Sequence, residues 1–363
     1  MKVLMTADAV GGVFGYALEL SRGLVPHGIE VVLALLGPAP SAGQLAQARA
    51  VPGLAVVPVG GRLEWMADPW ADVERAGEAL LALAAERGAD LVHLNGYAHA
   101  TLPWGRPVLV AAHSCVATWW RAVHGVSAPP EWDAYRTRVA AGLAAADAIV
   151  APTVAFLARL EAEYGRLPRA RAIPNGRRAG AFAGDPAGWR EPVVMACGRL
   201  WDASKRMAVL DAAARDLRWP VCIAGALQGP DGSTFRAGAA LPLGPLEPGA
   251  LAARLRRAAI FAHPACYEPF GLAVLEAGQA GCALVLSELP ELRESWDGAA
   301  AFVPPDDADA LHAALAALIG DEDRRRRLAV AAKRRAATFT PARMARAYVS
   351  AYRAIASGPR AAA

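Results

Sequence analysis

The chain has 363 residues, 55% of them hydrophobic and 20% charged, with a formal net charge of +4. That length suits about two α/β domains at roughly 150 residues each, and no nucleic-acid partner is expected. Five cysteines (Cys115, Cys197, Cys222, Cys266, Cys282), odd in number and without a Cys-x-x-Cys pair, imply no disulfide or metal framework, which fits a reducing cytoplasm.

Strand and helix signals alternate along the chain, the pattern of parallel sheets with helices on both faces. A strand is expected at 3–6, directly at the N-terminus, which leaves no signal peptide. Gly11-Gly12-Val13-Phe14-Gly15 then opens a helix, and glycines there let the backbone approach a phosphate. A dinucleotide site would want Gly-x-Gly-x-x-Gly and an acid ending the second strand. The second strand, 31–36, instead ends Leu35-Leu36-Gly37, which argues against NAD. Further strands are expected at 54–58, 91–94, 108–112, 148–151 and 170–174. His93 and His99 lie at and just beyond the end of the strand at 91–94, the fourth in chain order, and are candidates for an acceptor side. His113 ends the fifth, at the carboxyl edge where open α/β sheets bind ligands. Trp119 and Trp120 follow, with Trp132 and Tyr135 beyond, an aromatic surface on which a sugar ring stacks its apolar face. The most membrane-like stretch, 139–158, is interrupted by Asp147 and Pro152 and reads as helix, strand, helix.

A Gly/Pro-containing polar segment, 175–192, reads as a linker. A second strand series follows at 193–197, 221–224, 239–243, 260–263, 283–286 and 301–303. After the first of these comes Gly198-Arg199-Leu200-Trp201-Asp202-Ala203-Ser204-Lys205, where Arg199 and Lys205 supply two cations able to neutralise a diphosphate without a metal. Most informative is Tyr267-Glu268-Pro269-Phe270-Gly271-Leu272, which runs into helical spacing with Glu276 and Gly278. It sets one carboxylate in the loop after a strand and a second inside the helix. Between them the N–H groups of Phe270, Gly271 and Leu272 open a helix N-terminus suited to phosphate. Two carboxylates for hydroxyls and a dipole for phosphate suit a nucleotide-sugar. Asp307-Ala308-Asp309 mimics a metal-binding Asp-x-Asp but precedes an amphipathic helix, so it is expected to cap it. A last helix should begin at Pro341 with Thr340 as its cap. From 321 to 360 eleven Lys/Arg face three acids, a solvated helix face or a surface attracted to anionic lipid.

The Glu-x7-Glu segment, Gly198-Arg199 with Lys205, and Ile173-Pro174-Asn175-Gly176 resemble the family 4 glycosyltransferases, retaining enzymes of the GT-B fold. That resemblance implies two Rossmann-like, doubly wound parallel-sheet domains facing a central cleft. It divides the chain into an acceptor-side domain, 1–175, a nucleotide-sugar domain, 176–340, and a helix with tail, 341–363, that crosses back to the first. By the same resemblance Glu268 and His113 face the donor sugar, Glu276 binds the ribose, and Arg199 and Lys205 meet the diphosphate. Gly11, Gly12 and Gly198 lie near the phosphates, and Pro245 and Leu246 meet the nucleobase through backbone. The chain departs from the family where Arg177-Arg178 replaces the usual small or acidic follow-up to Asn175-Gly176.

The function so implied is transfer of a hexose, with retention, from a UDP- or GDP-linked sugar to a glycan or lipid-linked hydroxyl. No metal or other cofactor is expected. The setting would be cytoplasmic, with peripheral contact to anionic membrane at its inner face. Alternatives are another GT-B activity, a nucleotide-sugar epimerase or glycoside phosphorylase, and a non-catalytic sugar- or nucleotide-binding scaffold.

Overall fold

The structure, a computed structural model, describes residues 1–229 and 232–357. Pro230 and the end of the predicted tail, 358–363, lie outside the described residues. The chain forms two compact units, one of Met1–Arg121, Val126–Gly176 and the segment from Thr340 on, the other of Ala122–Gly125 and Arg177–Phe339.

The first unit holds β1 (Lys2–Asp8), β2 (Glu30–Leu36), β3 (Ala55–Gly60), β4 (Leu91–Leu94), β5 (Val108–Ala111), β6 (Ala148–Ala151) and β7 (Ala170–Ala172). They form one parallel sheet in the order β3-β2-β1-β4-β5-β6-β7, with Val3 opposite Val31 and Met5 opposite His93. The central strands are aliphatic on both faces because helices cover both, which is why they read as continuous apolar runs rather than alternating ones. The helix Pro341–Ala356 starts where the sequence places it, and the Thr340 side chain accepts the Arg343 N–H at 3.2 Å. Its buried face (Met344, Ala345, Tyr348, Val349, Tyr352) joins the core that contains the helix Gly12–Leu24. Gly23 permits that packing, because a Cβ there would lie 2.8 Å from the Ala345 Cβ.

The second unit holds β8 (Glu191–Cys197), β9 (Val221–Ala224), β10 (Leu241–Gly244), β11 (Ala258–His263), β12 (Ala283–Ser287) and β13 (Ala301–Val303). Their order is β10-β9-β8-β11-β12-β13, again parallel. In each sheet the strand order reverses beside the first strand, between β1 and β4 and between β8 and β11. Loops leaving the carboxyl ends of those strand pairs diverge and leave a crevice for a ligand. Asp307 caps the helix Ala308–Gly320 by accepting the Ala310 N–H at 2.8 Å, as its sequence context requires.

One expectation is corrected. The segment read as a linker, 175–192, is built into the second unit from Arg177 on. Arg190 donates to the carbonyls of Asp185, Arg256 and Ala280, each at 2.7 Å, and the Gly184 N–H donates to the Gln279 carbonyl at 3.2 Å. A guanidinium serving several orphan carbonyls replaces the hydrogen bonding a strand or helix would have supplied.

Candidate active site

The crevice of the second sheet collects the residues that the sequence marks for a donor. The loop after β8 ends in a short helical turn, Ala203–Lys205, started by Asp202, whose carboxylate accepts the Ser204 N–H at 2.9 Å and its hydroxyl at 2.7 Å. The loop after β11 is tied to that turn by the Cys266 N–H, which donates to the Ser204 carbonyl at 2.8 Å. Adjacent strands at the reversal point therefore hold Lys205 and Glu268 together. Their Nζ and Oε2 atoms are 2.8 Å apart, and each side chain is only about an eighth exposed (13% and 14%).

Glu268 is the hub. Its Oε2 also accepts from His263 Nε2 at 2.9 Å, and its Oε1 accepts the Gly271 N–H at 3.0 Å. Burial alone would raise this carboxyl, but the Lys205 ammonium and the His263 hydrogen bond outweigh it and hold the group well below the usual carboxylate range. Gly271 stands in the left-handed region at φ +87° and opens the helix Leu272–Ala280, a shorter helix than the apolar spacing from Phe270 suggests. The expectation of three free N–H groups at this helix start is corrected, since a carboxylate five residues from the end of β11 takes the Gly271 N–H. Phe270 is buried and packs edge-on against Phe339, with ring centroids 5.5 Å apart.

Glu276, on the same helix, pairs with Arg177 Nε at 2.7 Å. Burial pushes its carboxyl up, and the Arg177 charge opposes that rise. Arg199 is held by Asp202 at 2.8 Å and lies over the Trp201 ring at 5.6 Å, so the bulky indole gives the guanidinium a platform. Gly198 and Gly225 permit a close backbone crossing beside this loop: a Cβ at Gly225, whose φ is +147°, would collide with the Gly198 carbonyl oxygen. Pro245 and the half-buried Leu246 follow Gly244 at the end of β10, on the edge of the same sheet.

In the first unit, Gly11 caps the helix Gly12–Leu24 from an extended conformation, and both glycines are exposed. Next to this loop, His113 is oriented by Asn95. The Asn95 Nδ2 donates to the Thr6 carbonyl at 2.6 Å, which turns its Oδ1 toward His113 Nε2 at 2.8 Å. A carbonyl can only accept, so the amide is fixed and the imidazole must donate through Nε2. Burial pulls the His113 pKa down to about 4, so its ring is neutral near pH 7. Tyr16 meets that ring edge-on at 4.3 Å.

His93 requires correction as an acceptor-side candidate. It is fully buried, its Nδ1 is 2.6 Å from the Tyr352 hydroxyl and its Nε2 is 3.4 Å from that of Tyr16. Burial, with His113 nearby, drops its pKa to about 3, so it is a neutral core residue. His99 is also buried, with Nε2 2.9 Å from the Val73 carbonyl, but it borders a small cavity with Asp8, Asn95 and Glu64. Trp119 and Trp120 are half-buried on the helix Val116–His124, their rings 6.0 Å apart in a T arrangement.

Three residues at these edges escape the sequence reading. His263 ends β11 as His113 follows β5, and the strand-end rule that marks one marks the other. Arg177 stands out only as a departure from family pattern. Glu64 carries no motif, yet its carboxylate accepts the N–H groups of Tyr97 at 3.1 Å and Ala98 at 2.9 Å.

Comparison with known proteins bears on the family and the fold. The family described as Glycosyltransferase Family 4 matches residues 10–178, and that described as Glycosyl transferases group 1 matches residues 191–335. Sucrose-phosphate synthase from Thermosynechococcus elongatus superposes with a TM-score of 0.77 at 20% identity, covering 98% of each chain. Anabaena HepE, in complex with UDP and glucose, gives 0.76 at 14% identity over 98% of this chain and 100% of its own. The catalytic domain of starch synthase IV from Arabidopsis thaliana, bound to ADP and acarbose, gives 0.75 at 14% identity over 98% and 99%. Among curated protein sequences, none matches the chain. With its two parallel-sheet units and family matches running from residue 10 to residue 335, the chain belongs with the family 4-like glycosyltransferases of the GT-B fold.

Proposed function

We propose that the protein is a retaining glycosyltransferase that moves a hexose from a nucleoside diphosphate sugar to a hydroxyl of a glycan or lipid-linked acceptor. The observation that carries this reading is the pairing of Lys205 with Glu268 at the β8–β11 reversal, one helical stretch before Glu276. Structural neighbours that hold UDP with glucose, or ADP, support a nucleoside diphosphate as the donor's leaving group.

In this proposal Glu276 accepts the ribose hydroxyls, while Lys205 and Arg199 stabilise the departing diphosphate, with the N–H groups of Phe270 and Leu272 alongside. Glu268 acts by fixing Lys205 and the loop, and it keeps acceptor capacity for a sugar hydroxyl. His113, neutral and donating Nε2–H to Asn95, accepts a sugar hydroxyl at Nδ1. Reaction on one face lets the leaving phosphate take the acceptor proton as the glycosyl cation develops, so the anomeric configuration is kept. The acceptor is assigned to the first unit, near His99, Trp119 and Trp120, and the basic residues of 321–357 to an anionic membrane surface. Among the described residues no helix is long and apolar enough to cross a membrane.

Thermal unfolding with UDP, GDP, ADP and dTDP, each with EDTA, tests the donor site. A nucleotide at a hundred times its dissociation constant should stabilise by about 2.7 kcal/mol. A shift from one nucleotide names the base; no shift from any removes the donor assignment. Proton NMR of the glycoside formed then reads retention or inversion directly.

A further inference from the structure

Arg177 begins the long segment Arg177–Phe339 of the second unit, and both its backbone and its guanidinium make contacts there. Its N–H donates to the Phe339 carbonyl at 3.1 Å, and its carbonyl accepts from Gln279 Nε2 at 2.8 Å. Its guanidinium Nε lies 2.7 Å from Glu276 Oε1 and the group sits over the Phe182 ring at 5.1 Å. Glu276 and Gln279 are one turn apart on a single helix face, so that face grips Arg177 by backbone and side chain at once. The two paired side chains are 21% and 12% exposed, so the ion pair is mostly buried but keeps an edge open to a ligand.

We propose that Arg177 is a positioning residue for the ribose site: its pairing aims the Glu276 carboxylate and opposes its protonation, so nucleotide affinity falls less with acid than it would without the pair. The inference rests on the reading that Glu276 binds the ribose. Two hydroxyls of a ribose donate to a carboxylate best when both its oxygens are acceptors, and protonation turns one of them into a donor. Burial drives Glu276 toward its protonated form, and Arg177 is the cation in contact with it. The other groups that face it do not replace that charge. Cys197, at the end of β8, feels Glu276, Lys205 and Glu268, but burial first and Glu276 next push its thiol up and keep it neutral. Lys205 is committed to Glu268, and Gln279 is uncharged. An arginine does not titrate in the range where a carboxylate does, so its support is constant with pH.

The test is calorimetric titration with UDP, GDP, ADP and dTDP between pH 5.5 and 8.0, on the unaltered chain and on Arg177→Met, Arg177→Gln, Arg177→Lys and Glu276→Gln. The titration of the nucleotide's own phosphate is common to all and cancels in the ratio of variant to parent affinity. For Arg177→Met that ratio should fall as pH falls, by up to tenfold per unit below the carboxyl's new pKa. Arg177→Gln, a polar replacement without the charge, gives the same reading should Arg177→Met not fold. Arg177→Lys should restore a level ratio, and Glu276→Gln should bind weakly at every pH. A ratio independent of pH in both uncharged variants, or tighter binding in them because Arg177 competes with the ribose, overturns the inference. If Glu276→Gln binds as well as the parent, the ribose reading itself is lost; if it binds weakly while the ratio stays level, only the role given to Arg177 is lost.

Discussion

Replacing Lys205 by Met should destabilise the second unit in a way that depends on pH. The ion pair it removes is short (2.8 Å) and mostly buried, with side-chain exposures of 13% and 14%. Breaking such a pair from one side typically costs about 3–5 kcal/mol, because a charge is left without its partner. Here the carboxylate retains His263 Nε2 at 2.9 Å and the Gly271 N–H at 3.0 Å. The loss should therefore fall at or just below the lower end of that range, about 2–3 kcal/mol at pH 8. In the parent chain the Glu268 carboxyl is depressed below its unfolded value, because Lys205 and His263 outweigh burial. Its contribution to stability is then present above the unfolded pKa and lost as pH falls through the folded one. Without Lys205, the largest influence opposing burial, the carboxyl moves up and the folded variant takes a proton more readily than the parent. The deficit should be largest at pH 8 and shrink toward pH 4.5, where the group can take a proton. Urea titration followed by hydrogen exchange in β8 and β11 measures this. The double variant Lys205→Met/Glu268→Gln should regain most of the loss at pH 8, since no charge is stranded. An equal deficit at both pH values, or a double variant no more stable than Lys205→Met, would refute the reasoning.

Three further outcomes are expected. Because His113 is held at a pKa of about 4, turnover should show no His113 limb between pH 5.5 and 8; a limb near pH 6.5 that disappears in His113→Asn contradicts this. Gly225→Ala forces a methyl group onto the Gly198 carbonyl oxygen, so it should lower the urea midpoint of the second unit sharply, whereas the same change at Gly249, where nothing lies within 4 Å, should be nearly silent. Tyr352→Phe removes the hydroxyl 2.6 Å from His93 Nδ1 and should cost about 1–3 kcal/mol of first-unit stability, the penalty of an orphaned buried nitrogen, read by the same urea titration.

The strands at 91–94, 148–151, 221–224 and 301–303 stand where the apolar runs place them, because short aliphatic runs between turn residues suit parallel sheets covered on both faces. The caps at Asp307 and Thr340 were equally legible, since each is a local contact within one turn. His93 was not. In a strand buried on both faces, alternation does not separate a ligand-facing histidine from one held by a helix more than 250 positions away. Glu268 and Glu276 could be singled out by spacing, but not the partners that occupy them. Lys205 reaches Glu268 through the pairing of β8 with β11, and Arg177 reaches Glu276 through the path of the chain into the second unit. His263 is only five residues from Glu268, but the loop that folds them together is not readable from spacing. The stretch after Asn175 looked like a linker because its order comes from Arg190 and from carbonyls distant in sequence.

The return of the last helix into the first sheet's core imposes an order on biosynthesis. Residues 177–339 form one uninterrupted stretch and can collapse as soon as they leave the ribosome. The strands of the first unit are made earlier, yet the side chains that close over His93 and Tyr16 belong to Tyr348 and Tyr352, which are made only after residues 177–339. Until they arrive, an imidazole and an apolar face wait uncovered while the whole of the other unit is translated. Chains released before residue 348 would carry a folded carboxyl-terminal unit beside an open amino-terminal one, a form suited to capture by chaperones and to trimming by proteases.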